Sequence, residues 1–257
     1  MYYFLTIMRR TIKFLPIVAL ILLGTVSCGK DDGQNGANEN NTKYQYVDLG
    51  LSVKWATCNV GAQTPEEYGD FFAWAETEPY YETGHADSIM SYLKEGKSRG
   101  YYWPSYKYSN ASGDSIYKYN INETVGQADS KTVLEGADDV AHVKWGGKWR
   151  IPTADEFIEL FSSENCDKEF VTQKNGVKGY LITSKKPGFE GASIFLPAAG
   201  FCEEKNYGYV GSYGAYWCST LDDQYSRYAD YLVFVSSTFE QNSSYRYLGL
   251  SVRPVWK

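Results

Sequence analysis

The sequence predicts an α+β domain of short mixed or antiparallel strands, one helix near 154–163 and long loops. Three observations predict it. Short β-branched and aromatic runs such as "GYLITSK", "SIFLPAAGF" and "YLVFVSSTF" are separated by Gly, Asn, Asp or Ser turns. In "WRIPTADEFIELF", Phe157, Leu160 and Phe161 fall at i, i+3 and i+4, one apolar stripe of a helix. The stretch from Tyr80 to Gly136 is polar and Tyr-rich without either period, and reads mainly as surface loops.

Taken in chain order, Arg9, Arg10 and Lys13 precede an apolar run from Phe14 to Leu23, and small residues then lead to Cys28. This is the order of a secretory signal over residues 1–27, with Met8 an alternative start. The run is too short for a retained span, which needs about 20 residues. The residues before Cys28 resemble a bacterial lipobox, which implies cleavage there and an acylated Cys28 held in outer-membrane lipid. Residues 28–43 have almost no apolar side chain and read as a flexible tether. Lys30, Asp31 and Asp32 resemble the export signal of Bacteroidetes lipoproteins, which implies an outer-membrane location facing the exterior.

Residues 44–257 then form a single domain, with no repeat and no linker-like break. "YVDLGLSVKWATCNVG" and "GDFFAWAE" supply its first strands, and a second short helix is expected around Asp138 to Val143. Thr153 followed by Glu156 makes a capping box that starts the main helix, with Trp145 and Trp149 placed to cover it. "AYWCST" and "LGLSVRPVW" are further strands near the end.

Removing residues 1–27 takes three basic and no acidic residues from 25 Lys plus Arg and 31 Asp plus Glu, leaving 22 against 31, a net of −9. A nucleic-acid partner is excluded on that balance, since phosphate binding needs a basic face. Beyond Cys28, four cysteines remain: Cys58, Cys166, Cys202 and Cys218. An even number in an exported chain favours two disulfides, of which three pairings are open. A hairpin placing Cys202 opposite Cys218 would leave Cys58 for Cys166. No CxxC occurs and His is found only at 85 and 142, so neither a metal nor a cofactor is expected.

"YVDLGLSVKWATCNVGAQTPEEYGDFFAWAE", "DDVAHVKWGGKWRIPTADEFIELF", "SIFLPAAGF" and "SVRPV" resemble the Fibrobacter succinogenes major paralogous domain of Bacteroidetes surface lipoproteins. "WRIPTADEF" and "VRPV" are also similar to the formylglycine-generating-enzyme fold, a relative of C-type lectins. The resemblance implies a compact C-type lectin-like domain with its two chain ends paired. It assigns no activity.

Three function classes follow. The expected one is a non-catalytic, adhesin-like surface module for a glycan or protein ligand. Its candidate ligand residues are Tyr101, Tyr102, Trp103 and Tyr106 in "GYYWPSYKY", with Tyr207, Tyr209 and Tyr213 in "NYGYVGSYGAYW", because such rings offer flat area with a polar handle. Glu-Pro-Asn and Gln-Pro-Asp triplets are absent, which argues against calcium-dependent sugar binding. The alternative is a structural component of a pilus or matrix. A formylglycine-generating type of enzyme ranks last: it would need Cys202 and Cys218 reduced, whereas their apolar strands suit a bridge. Asp138, Asp139 and His142 are an acid/base candidate that helix-end electrostatics explains equally well. There is no GxSxG, and "GKS" at 96–98 lacks the first glycine of a phosphate loop. Asp87-Ser88-Ile89 and Asp114-Ser115-Ile116 resemble the O-glycosylation acceptor used in Bacteroides, which makes Ser88 and Ser115 candidate acceptors.

Overall fold

The computed structural model describes residues 44–82, 92–93, 100–204 and 206–257. The expected signal segment and tether, with the candidates Cys28 and Ser88, lie outside them. The described chain is mostly small antiparallel sheets with few helices. Its elements are β1 (Tyr46–Val47), β2 (Lys54–Ala56), β3 (Tyr81–Glu82), β4 (Tyr92–Leu93), α1 (Val140–Trp145), β5 (Trp149–Arg150), α2 (Ala154–Phe161), β6 (Cys166–Thr172), β7 (Lys178–Ser184), β8 (Ser193–Pro197), β9 (Phe201–Glu203), β10 (Asn206–Gly208), β11 (Gly214–Leu221), β12 (Tyr228–Phe234), β13 (Phe239–Tyr245) and β14 (Val255–Trp256). One sheet runs β1-β2-β14-β5, so the last strand sits beside one of the first. Two meanders, β6-β7-β8 and β11-β12-β13, and the hairpins β9-β10 and β3-β4 complete the set.

β11 organises the interior. Successive strand residues point to opposite faces, and here both faces are covered: Ala215 and Trp217 enter one core cluster, Tyr216 and Cys218 the other. That is why "GAYWCSTL" is nearly continuously apolar. Gly214 opens the strand because a side chain there would run into the Phe234 ring, 2.0 Å from where its Cβ would lie.

The same alternation overturns the expected cysteine pairing. Cys202 on β9 lies opposite Tyr207 of β10 and belongs to the first cluster, whereas Cys218 faces the second. Cys166 lies opposite Ser184. All three are buried thiols. Cys58 is disulfide-bonded, and none of Cys166, Cys202 and Cys218, all free, is its partner.

α2 starts as its sequence requires. The Glu156 amide donates to Thr153 Oγ1 at 3.3 Å, and the Thr153 amide donates to Glu156 Oε2 at 2.9 Å. Arg150 adds a two-pronged grip on the same carboxylate at 2.8 and 2.5 Å. Burial alone would raise the Glu156 pKa, but Arg150 and the Thr153 amide outweigh it and hold the group below the usual carboxylate range. The motif is thus a structural corner. Thr153→Ala is expected to cost about 0.5–2 kcal/mol, read as a lower midpoint of chemical denaturation. Glu156→Gln, which keeps the reach back to Thr153 but loses the charge facing Arg150, should fall in the same range.

The stretch expected to be surface loops is different in kind. Its described part is irregular but packed: Tyr80, Tyr101, Tyr106 and Tyr119 are all buried. Irregular backbone leaves carbonyls without ladder partners inside the protein, and buried carbonyls must be satisfied. Tyrosine hydroxyls do this. Tyr101 donates to the Phe71 carbonyl, Tyr106 to that of Trp74 at 2.9 Å, and Tyr80 to that of Ser105 at 2.8 Å. The indoles of Trp74 and Trp217 donate likewise to Cys218 and Phe72. Two fully buried arginines complete the pattern: Arg253 donates to the carbonyls of Ala56, Thr57 and Phe195, and Arg246 to those of Lys118, Tyr119 and Ser226.

Candidate functional site

The role of tyrosine in the core sorts the seven candidate ligand residues. Tyr101 and Tyr106 are core residues, not surface contacts: Tyr101 stacks on Tyr80 at 4.5 Å, and the Tyr106 hydroxyl accepts from Arg246 Nε at 2.9 Å. Tyr207 is partly buried edge-on to Phe71 at 4.9 Å, and burial raises its hydroxyl pKa. Tyr102 is partly buried against the first cluster. Trp103 and Tyr213 are partly buried against the same cluster, and of the seven candidates Tyr209 alone is exposed.

Trp103 belongs to a line of rings that the sequence reading missed. Trp103 meets Tyr247 at 5.0 Å, Tyr247 stacks on Tyr245 at 5.2 Å, Tyr245 meets Tyr228 at 4.8 Å, and Tyr228 meets Tyr225 at 5.7 Å. Register explains the assembly, since Tyr228 of β12 lies directly opposite Tyr245 of β13, and facing pairs on one sheet face are in contact. Tyr225 is 58% exposed and Tyr245 38%.

A second group stands on β9. Tyr209 stacks on Phe201 at 5.5 Å, with Tyr213 at 5.8 Å from Phe201. Cys202 is buried in the first cluster, Phe201 packs partly buried against it, and Glu203 is exposed. Glu203 accepts from the Tyr247 hydroxyl at 3.1 Å, which joins the two groups into one aromatic ribbon. Tyr209 is 67% exposed at a backbone φ of 63°. Its carbonyl closes the turn into β11, accepting from the amides of Ser212 and Tyr213 at 3.1 and 3.0 Å.

The ribbon can stack flat apolar faces against its rings and exchange hydrogen bonds through its hydroxyls. Its charged neighbours include Glu203 and Asp230, which disfavour a phosphate backbone. Asp230 is pushed up to about 6, first by burial and then by Asp222 and Asp223, against the Thr220 hydroxyl that lowers it. A carboxyl raised on folding contributes stability that is complete below its unfolded pKa of about 3.9 and is lost as pH rises through the folded value. Asp230→Asn should therefore stabilise the protein by up to about 2 kcal/mol at pH 7.5, after allowance for partial exposure, and by nothing near pH 3. Thermal melts at the two pH values check this.

The acid/base candidate is divided between two places. Asp138 accepts from the Tyr108 and Tyr119 hydroxyls and from Lys118. Asp139 caps α1 through the amides of Ala141 and His142. Among the described residues no three His, Cys, Asp or Glu are grouped to hold a metal. Burial pushes the Cys202 thiol up to about 12 and Cys218 well above its ordinary value. Ser115 is half-buried in a turn closed by Asn110, next to the buried Ile116. An apolar cavity of about 390 Å³ lies between α2 and the β12–β13 pair, floored by Cys218 and Leu232.

No protein-family model matches the chain, and neither the curated proteins nor the solved structures contain a match.

Proposed function

We propose that this chain is a non-catalytic surface module that binds a glycan along the aromatic ribbon. The observation that carries the reading is the run of touching rings Tyr225, Tyr228 and Tyr245 beside Trp103, in which Tyr225 and Tyr245 are exposed and Tyr228 and Trp103 partly buried. These rings satisfy no interior carbonyl, unlike their buried counterparts, yet they are held in contact and partly displayed to solvent. Exposed, ordered aromatic surface of this kind is what recognition sites use. Stacking alone would also suit nucleic-acid bases, but a net of −9 favours an uncharged sugar chain.

The lipobox-like context of Cys28 and the charges behind it support an outer-membrane anchor facing the exterior. The resemblance to Bacteroidetes surface lipoproteins and to C-type lectin-like domains agrees with this reading. The buried thiols, with pKa values raised, favour binding over thiol catalysis. Assembly into a pilus or matrix is the second reading, favoured by β13, whose outer edge pairs with no other strand among the described residues. A glycan array probed with residues 44–257 separates the two: the module binds a defined glycan class, whereas an assembly subunit binds its own kind and leaves the array blank.

A further inference from the structure

The outer edge of β13 is unguarded. The strand runs seven residues in continuous register with β12, without a bulge, and its other side pairs with no strand among the described residues. Natural edges are usually blunted by proline, lysine, a bulge or a short length. β13 has none of these: "FEQNSSY" holds one charge, Glu240, and Phe239, Gln241, Asn242 and Tyr245 are exposed.

The backbone phase of this edge is fixed at both ends of the β12–β13 pair. The Val235 amide donates to the Thr238 carbonyl at 2.9 Å, and the Arg246 amide to that of Arg227 at 3.1 Å. Hydrogen-bonded and non-hydrogen-bonded pairs alternate along an antiparallel ladder, so Glu240, Asn242 and Ser244 bond to β12. Phe239, Gln241, Ser243 and Tyr245 therefore aim their amides and carbonyls outward. Two of these groups have local partners: the Ser243 amide donates to Asn242 Oδ1 at 2.8 Å, and the Tyr245 carbonyl accepts from Leu248 at 3.0 Å with a lone pair to spare.

We propose that β13 pairs with β13 of a second copy of this chain, antiparallel about a two-fold axis at Asn242. In that register Phe239 faces Tyr245, Glu240 faces Ser244, Gln241 faces Ser243 and Asn242 faces Asn242, so the whole strand is matched. Every outward residue then stands opposite an outward residue, and their amides and carbonyls meet. Glu240 lies opposite a serine, whereas an axis through residue 240 would set it against itself. Phe239 and Tyr245 form a facing aromatic pair at each end, a favourable cross-strand combination. This self-complementarity is what selects a second copy over an unrelated strand. A closed pair occupies the β13 edge of both copies, so it does not grow into a fibre through that edge. Asn242 and Ser243 belong to no part of the ribbon, and the inference stands apart from the glycan reading.

Sedimentation equilibrium of the full chain in a density-matched detergent tests the pairing. The wild-type mass should rise from one chain toward two, and no further, as concentration increases. Ser243→Pro removes an outward amide and leaves the β12 ladder intact, so it should hold the mass at one chain. Asn242→Asp and Asn242→Lys, at an exposed position, keep the test open should the proline disturb the fold. Each sets like charges face to face and should weaken pairing about fivefold. An equal mixture of the two should pair at least as tightly as wild type, because opposite charges then meet. A wild-type mass of one chain at every concentration, growth beyond two, variants that pair like the wild type, or a mixture no tighter than its components would each overturn the proposal.

Discussion

Arg246→Ala is expected to lose about 3–5 kcal/mol, enough to unfold much of the population of a domain of ordinary stability. The guanidinium is fully buried and lies over Trp74 at 4.8 Å, Tyr106 at 5.3 Å and Tyr119 at 5.9 Å. Its bonds to the carbonyls of Lys118, Tyr119 and Ser226 hold the irregular tyrosine-rich segment against the β12–β13 end. Removing it leaves those carbonyls buried and unpaired and opens a large void inside three rings. Arg246→Lys should recover only part of the loss, because one ammonium cannot reproduce the planar fork. Urea denaturation checks both variants, and an alanine variant within 1 kcal/mol of wild type would contradict this account of the core.

Phe157→Ala should cost roughly 3–5 kcal/mol in the same assay. Phe157 is 1% exposed, tilts against Trp55 at 5.1 Å and forms part of the wall of the 390 Å³ cavity. Because one side is already void, the neighbours have little to collapse onto, which places the expected loss toward the upper end of that range. Phe157→Leu, which keeps most of the volume, should cost about 1.5 kcal/mol or less.

These two sites mark what the sequence could reveal and what it could not. Phe157 follows from a local signal: the Thr153–Glu156 box and the i, i+3, i+4 stripe lie within one helix, and the helix is there. Its end is reached at Phe161 rather than 163 because Ser162 turns extended. The short helix expected at Asp138 to Val143 is realised as α1 over Val140–Trp145, capped by Asp139. Arg246 carries no local signal. In "SSYRYLG" a strand reading sends the arginine to solvent, and only the distant Trp74, Tyr106 and Tyr119 make its burial favourable. The ribbon was hidden for the same reason, since Trp103, Tyr228 and Tyr245 come together through register and tertiary packing. Density of tyrosine was a poor guide because most of the rings in "GYYWPSYKY" serve the interior. Tyr245 ends the polar strand β13 and is exposed, whereas Tyr247, in the turn that follows, is buried and stacks on it from below.

The most direct test of the ribbon is a comparison of glycan-array signals for residues 44–257 as wild type, Tyr245→Ala, Tyr225→Ala and, as a control away from the ribbon, Ser219→Ala, each first confirmed folded by thermal melt. Loss of one stacked ring is worth about 1–3 kcal/mol, so Tyr245→Ala and Tyr225→Ala should each weaken binding by roughly five- to a hundredfold, with Ser219→Ala unchanged. Wild-type signals in both tyrosine variants, or a blank array for the wild-type domain, would contradict the assignment of the ribbon as a glycan site.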